Sequence, residues 1–152
     1  MKKLASILLV DDSEADNFIH VRRIRKMNVA EHIAVCEHGQ EALEYLTTPR
    51  TDGSYPRPDL LFLDINMPVL DGWGFLDTYQ HLPEHQQART LITFLPHPAN
   101  PSDHARASAY RVIHGHESKP LHRDSIRAVL QEFFPHHFTD DYPSLGDQPP
   151  QE

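Results

Sequence analysis

The stretch 59–72, Asp59-Leu60-Leu61-Phe62-Leu63-Asp64-Ile65-Asn66-Met67-Pro68-Val69-Leu70-Asp71-Gly72, narrows what this chain can fold into. An apolar run ends on a carboxylate, and a loop marked by Pro68 and Gly72 follows at once. A run bounded this way reads as a strand buried on both faces, the signature of a parallel sheet. In open α/β sheets ligands bind outside the carboxyl ends of the strands, so Asp64 stands at the chemically active edge.

Residues 4–10 repeat the pattern: Ala5, Ile7, Leu8, Leu9 and Val10 run into Asp11-Asp12. Ser13 then predicts a helix N-cap, with Asp16 three residues on as the acid of a capping box. The helix runs to about Met27, with Phe18, Val21 and Ile24 inward. A short strand at 33–36 and a helix at 39–46 follow, the helix burying Ala42, Leu43 and Leu46. The stretch 47–58 contains Pro49, Gly53, Pro56 and Pro58 and reads as a surface loop. After the Asp64 strand a helix begins near Trp73. Residues 90–95 read as a fourth strand, and 100–110 as a helix capped by Asn100 with Pro101 at its first position. An unusually polar fifth strand lies within 112–118. Residues 122–134 form a last amphipathic helix with Ile126, Val129, Leu130 and Phe133 on one face.

Five strand–helix alternations predict an α/β, doubly wound, flavodoxin-like (βα)5 three-layer sandwich. Right-handed crossovers limit the layouts, and the parallel order 2-1-3-4-5 sets strands 1 and 3 side by side. Asp11, Asp12 and Asp64 then converge. Residues 1–134 are expected to form one domain, and 135–152, rich in proline and acid, a flexible tail.

Composition excludes several classes. The net charge of -8 leaves no basic stripe for nucleic acid. No 18-residue apolar segment is present, so no membrane span is expected, and the apolar run near Met1 is too short for a signal peptide. The single cysteine, Cys36, cannot form an internal disulfide, which fits a reducing cytosol and a cytoplasmic location. Of the 12 histidines, His114 and His116 are expected on one strand face at period two. Without a C-x-x-C spacing, solvated or partly buried roles outweigh a zinc site.

Three carboxylates at one edge repel: two unit charges ~4 Å apart at an effective dielectric of ~20 cost ~4 kcal/mol. Either one stays protonated or a cation sits among them. Oxygen ligands open to solvent suit Mg²⁺ better than Zn²⁺, and the Asn66 main-chain carbonyl is a further candidate ligand. Lys119, after the fifth strand, adds a positive charge. Such a site is suited to accept a phosphoryl group on a carboxylate.

These residues resemble the receiver domain of a two-component response regulator. The motifs are Ile7-Leu8-Leu9-Val10-Asp11-Asp12-Ser13, then Phe62-Leu63-Asp64-Ile65-Asn66-Met67-Pro68 with Asp71-Gly72, then Ser118-Lys119-Pro120. The resemblance covers roughly residues 4–134 and is closest to the single-domain, chemotaxis-regulator-like type. It implies that Asp64 is the phosphoacceptor, Asp12 the direct Mg²⁺ ligand and Asp11 the holder of metal-bound water. The Asn66 main chain completes the metal site. Lys119 is implied as the partner of the acceptor and then of the phosphate, with a cis Lys119–Pro120 bond. The implied partners are a sensor histidine kinase or a histidine phosphotransfer protein as donor, and a downstream protein target. Output would be protein binding, phosphorelay or a homodimer, through the face of helix four, strand five and helix five. No turnover of a separate substrate is expected, so the chain is not read as an enzyme.

Two positions depart from the pattern. Where the family ends its fourth strand in Thr or Ser, this chain has Pro96, which offers no hydroxyl. Thr93 is three residues away, ~10 Å along an extended strand. The aromatic switch position on the fifth strand is His116. One expectation is therefore phosphorylation at Asp64 with weakened coupling to the fourth helix. The alternative is a degenerate receiver that acts as a phosphorylation-insensitive interaction module. An aspartyl phosphohydrolase would want an acid at Asn66 and a cap domain. A flavin carrier would want a phosphate loop where Asp11-Asp12-Ser13-Glu14 stands.

Overall fold

Strands β1 (Leu4–Val10), β2 (Ala30–Cys36), β3 (Leu60–Asp64), β4 (Thr90–Phe94) and β5 (Gly115–Glu117) pair in parallel, in the order β2-β1-β3-β4-β5. Helices α1 (Glu14–Met27), α2 (Gly39–Thr47), α3 (Gly72–Tyr79), α4 (Pro101–Ser108) and α5 (Arg123–Phe133) alternate with them. This computed structural model describes residues 2–67, 70–95 and 101–138. The doubly wound flavodoxin-like order expected from the alternation is the one observed.

Period-two alternation divides the strand side chains between two layers. Leu8, Val10, Leu61, Leu63 and Leu91 belong to one core, with Ala42, Leu43 and Leu46 of α2, Phe75 and Tyr79 of α3 and Ala107 of α4. Ile7, Leu9, Leu60, Phe62, Ile92 and Phe94 belong to the other, with Ile24 and Met27 of α1 and Ile126, Val129 and Leu130 of α5. The central strands are buried on both faces, which is why they read as unbroken apolar runs. Fully burying each such Leu or Ile contributes roughly 1.5–3 kcal/mol.

The edges of the sheet differ from the sequence reading. β2 starts three residues before the expected 33, because Leu4 pairs with Ala30 and Ser6 with His32. Glu31 and His32 are exposed there, so an edge strand shows no hydrophobic signature. β5 is only three residues long, and His114 precedes it. The two histidines expected on one face separate: the His114 ring meets Phe133 of α5, and the His116 ring meets His104 of α4.

The inward face of α1 is also rotated. Asn17, His20, Ile24 and Met27 are buried, whereas Phe18 is 66% exposed. The expectation of Phe18 as an inner residue fails because two polar side chains find partners inside, while Val21, half-buried, packs against the core as expected. Asn17 Nδ2 donates to the Asp11 carbonyl at 2.8 Å, and His20 Nε2 accepts from the Leu121 N–H at 3.1 Å. The first residues of the expected tail fold back: Phe138 is buried, and the Lys2 N–H donates to the His137 carbonyl. Residues 139–152, and the Asn100 cap, lie outside the described residues.

Candidate functional site

β1 and β3 are neighbours with Val10 opposite Leu63, so the next residue on each, Asp11 and Asp64, meets the other at the carboxyl edge. One carboxylate oxygen from each of Asp11, Asp12 and Asp64 lies within 4.8 Å of the others. Asp12 is the most open of the three to solvent. Asp11 is fixed from several sides. Its N–H donates to the Cys36 carbonyl, its Oδ1 accepts from the Ser13 N–H at 2.9 Å, and its carbonyl accepts from Asn17. Asp64 Oδ1 accepts the Asn66 N–H at 3.2 Å, which turns the chain sharply after β3.

Gly72 allows that turn to close. Its N–H donates to the Ile65 carbonyl at 2.9 Å, and a Cβ there would stand 2.6 Å from Ile65 Cα. Asp71 caps α3 by accepting the Gly74 N–H at 2.8 Å.

Lys119 follows β5, and its bond to Pro120 is cis, as the family resemblance implies. Its Nζ lies 2.7 Å from Asp11 Oδ2, 3.0 Å from Asp16 Oδ2 and 3.4 Å from Asp64 Oδ2. Burial alone would lower the ammonium pKa, but the close contacts with the Asp11 and Asp16 carboxylates and the Asp64 charge outweigh it and hold it raised. Burial, then the nearby Asp11 charge, pushes the Asp64 carboxyl up to about 6, against the pull of Lys119. For Asp16, burial raises the pKa, but Lys119 outweighs it and the group is held low.

The role of Asp16 corrects the capping-box reading. Ser13 does cap α1, accepting the Asp16 N–H at 3.2 Å. The Asp16 carboxylate, however, pairs with Lys119, and the Ser13 N–H that a capping box would give it donates to Asp11 Oδ1 instead. Two more α1 residues hold the loop after Lys119. His20 accepts the Leu121 N–H, and Arg23 Nη1 donates to the Leu121 carbonyl at 2.6 Å. The spacing of Asp16, His20 and Arg23 puts them on one helical face, a signal the sequence carries but that polarity disguises.

Asp12, Ser13, Asp64, Asn66, Phe94, Leu95 and Lys119 line a cleft of about 330 Å³. Its donors are hard oxygens, the set Mg²⁺ prefers. Asp11 Oδ2 is buried, pairs ionically with Lys119 at 2.7 Å and makes no hydrogen bond among the described residues, a hard oxygen that a cation can also take. The residues present therefore fit Mg²⁺. Thr93 is fully buried, has no hydrogen-bond partner for Oγ1 among the described residues, and does not line the cleft. His116 lies outside the cleft lining, against His104. Pro96 lies outside the described residues.

Comparison with known proteins gives a consistent answer. The response regulator Rcp1 of Synechocystis sp. is 29% identical over 92 residues, which is 60% of this chain and 62% of Rcp1. The match thus spans less than two thirds of that relative. A two-component response regulator from Cytophaga hutchinsonii superposes with a TM-score of 0.72 at 27% identity, covering 88% of this chain and 99% of that one. The receiver domain of a sensor histidine kinase from Pseudomonas aeruginosa, with a magnesium ion coordinated in its active-site cleft, shares the fold. Its TM-score is 0.66 at 19% identity, over 85% of this chain and 96% of that one. The response regulator receiver domain family matches residues 7–131, and the chain belongs to that family.

Proposed function

We propose that this receiver accepts a phosphoryl group on Asp64 from a phosphohistidine of a sensor kinase or phosphotransfer protein, and signals by binding another protein. The observation that carries the reading is the convergence of three carboxylate oxygens within 4.8 Å, with Lys119 Nζ 3.4 Å from Asp64. Asp11, Asp12, Asp64 and the Asn66 main-chain carbonyl would hold Mg²⁺. When bound, that ion offsets the negative charge of the transferring phosphoryl oxygens.

The chain's own groups do the rest. An Asp64 carboxylate oxygen attacks phosphorus, the phosphorus–nitrogen bond of the donor breaks, and the imidazole leaves with the electron pair. Lys119 neutralises charge on the arriving group, since Asp11 and Asp16 keep its ammonium protonated. Asp11 is held rigidly by Ser13 and Asn17, so its charge stays fixed while the phosphoryl moves. The reading includes no turnover of a separate substrate, residues 1–134 as the receiver, and a cytoplasmic location.

Incubation with a small phosphodonor and Mg²⁺, read by intact mass, tests it. A mass gain in the native chain that is absent from Asp64→Asn is the expected result. An equal gain in Asp64→Asn, or none in the native chain, sinks the acceptor role and leaves an interaction module.

A further inference from the structure

Phe18, exposed on α1, is not an isolated apolar residue. With Val21 of α1 and Val35 of β2 it forms the apolar floor of a groove of about 750 Å³ between that helix and the edge strand. Single exposed apolar side chains are ordinary, but several meeting in one concavity mark a contact surface. Arg22, Arg25 and Lys26 line the same groove. None of the three has an ion-pair partner among the described residues. Asn17, which also lines it, is buried and has no hydrogen-bond partner for Oδ1 among the described residues. Glu14 and Glu37 also line the groove, so it offers an apolar floor, a small excess of positive charge and one unmet acceptor.

The chain carries a segment of complementary chemistry. Residues 139–152 read Thr139-Asp140-Asp141-Tyr142-Pro143-Ser144-Leu145-Gly146-Asp147-Gln148-Pro149-Pro150-Gln151-Glu152. They contain four carboxylate side chains, no Lys or Arg, and two large apolar side chains, Tyr142 and Leu145. The preceding residues anchor the start of the segment. Phe138 is buried in the same cluster as Met27 and Val29, which end α1 and lead into β2. Phe138 is thus the last described residue before the segment, and it is anchored in the core layer to which Met27, at the basic end of α1, also belongs. Length does not limit the reach: α1 has 14 residues, hence ~21 Å, while 14 extended residues span up to ~46 Å. The order matches as well. Asp140 and Asp141 precede Tyr142 and Leu145 in the sequence, as Arg25 and Lys26 precede Val21 and Phe18 when α1 is read from its C-terminal end.

We propose that residues 139–152 dock in the α1–β2 groove of the same chain, with the acids on Arg22, Arg25 and Lys26 and with Tyr142 and Leu145 on the apolar floor. Covalent connection favours this occupant, because a short tether holds its end at an effective concentration of order mM.

The test uses the full chain, ¹⁵N-labelled, with Ser144→Cys carrying a nitroxide. Cys36 is buried, with its thiol pushed up to about 12, so it does not compete for the label. The expected result is selective loss of the Val21, Arg22 and Val35 amide signals, reversed by high salt and by Arg22→Glu/Arg25→Glu/Lys26→Glu. Tyr142→Ser/Leu145→Ser, which leaves the described fold untouched, should restore the same signals if the basic triple variant does not fold. Intact signals at those three amides, or an even loss over the whole surface, overturn the proposal. So does the same loss in a labelled chain mixed with unlabelled, nitroxide-bearing chains, which would make a second copy the occupant.

Discussion

Asp64 and His20 are buried titratable groups whose shifts have opposite consequences for stability. The folded-state pKa of Asp64 is raised to about 6, through burial and the Asp11 charge. Between the ordinary carboxyl range and pH 6, the metal-free fold therefore binds a proton that the unfolded chain releases, and stability falls as pH rises through that window. Asp64→Asn removes the penalty. Urea unfolding without metal should show the variant more stable at pH 7 by on the order of 1–3 kcal/mol, with the difference vanishing below pH 4. Parallel curves across that range would contradict the assignment. His20 runs the other way: burial lowers its pKa, against the pull of Asp16 and Asp11. Its neutral ring accepts the Leu121 N–H, so this part of the stability is complete above pH ~6.5 and lost as pH falls through the folded value. His20→Leu should cost about 1–3 kcal/mol at neutral pH, because it leaves the Leu121 N–H unpaired, and should flatten that loss between pH 7 and 5. Equal slopes in the two proteins would place the titration elsewhere.

At the scale of elements, α1 does more than cover the sheet. Its inner side buries Ile24 and Met27, its N-terminal turn brings Asp16 to Lys119, and His20 and Arg23 grip both main-chain polar groups of Leu121. The helix thus fixes the site lysine from outside the strand that carries it. This use of the inner face explains why Phe18 turns outward. Phe18→Ala should change fold stability by no more than about 0.5 kcal/mol, whereas Phe75→Ala, in the core under α3, should cost about 3–5 kcal/mol. Denaturant midpoints of the two variants decide it, and comparable losses would mean that Phe18 is part of the core after all. The turn into α3 shows the same economy: Gly72 approaches Ile65 so closely that a side chain would displace the loop holding Asn66.

For the molecule as a whole, the carboxylates converge because strands whose paired residues are 53 apart in sequence, as Val10 and Leu63 are, lie side by side, and any cation they hold ties β1 to β3. Mg²⁺ at about 100 times its dissociation constant should add about 2.7 kcal/mol, raising Tm by on the order of 10 °C in a domain of this size. Calorimetry with and without the ion checks this, and the same rise in Asp12→Asn/Asp64→Asn would refer the ion to another site. Much of this architecture was legible in the chain. Unbroken apolar runs ending on Asp11 and Asp64 specify doubly buried strands, and their alternation with helices specifies the layers, because burial on both faces is a local property of each strand. What was not legible concerns surfaces and long-range polar contacts. The exposed edge strand β2 and the short β5 have no apolar pattern to read, and α1 looked like a helix with Phe18 inside because Asn17 and His20 count as polar until their partners are known. Those partners are remote: His20 meets Leu121 across 101 residues, and Asp16 meets Lys119 across 103. The sequence by itself determined the layers, the sheet order and the three aspartates, through periodicity and burial. Only the tertiary structure decided which face of α1 is inner and that Asp16, His20 and Arg23 serve the site, because a buried polar group is satisfied by whatever the fold sets beside it.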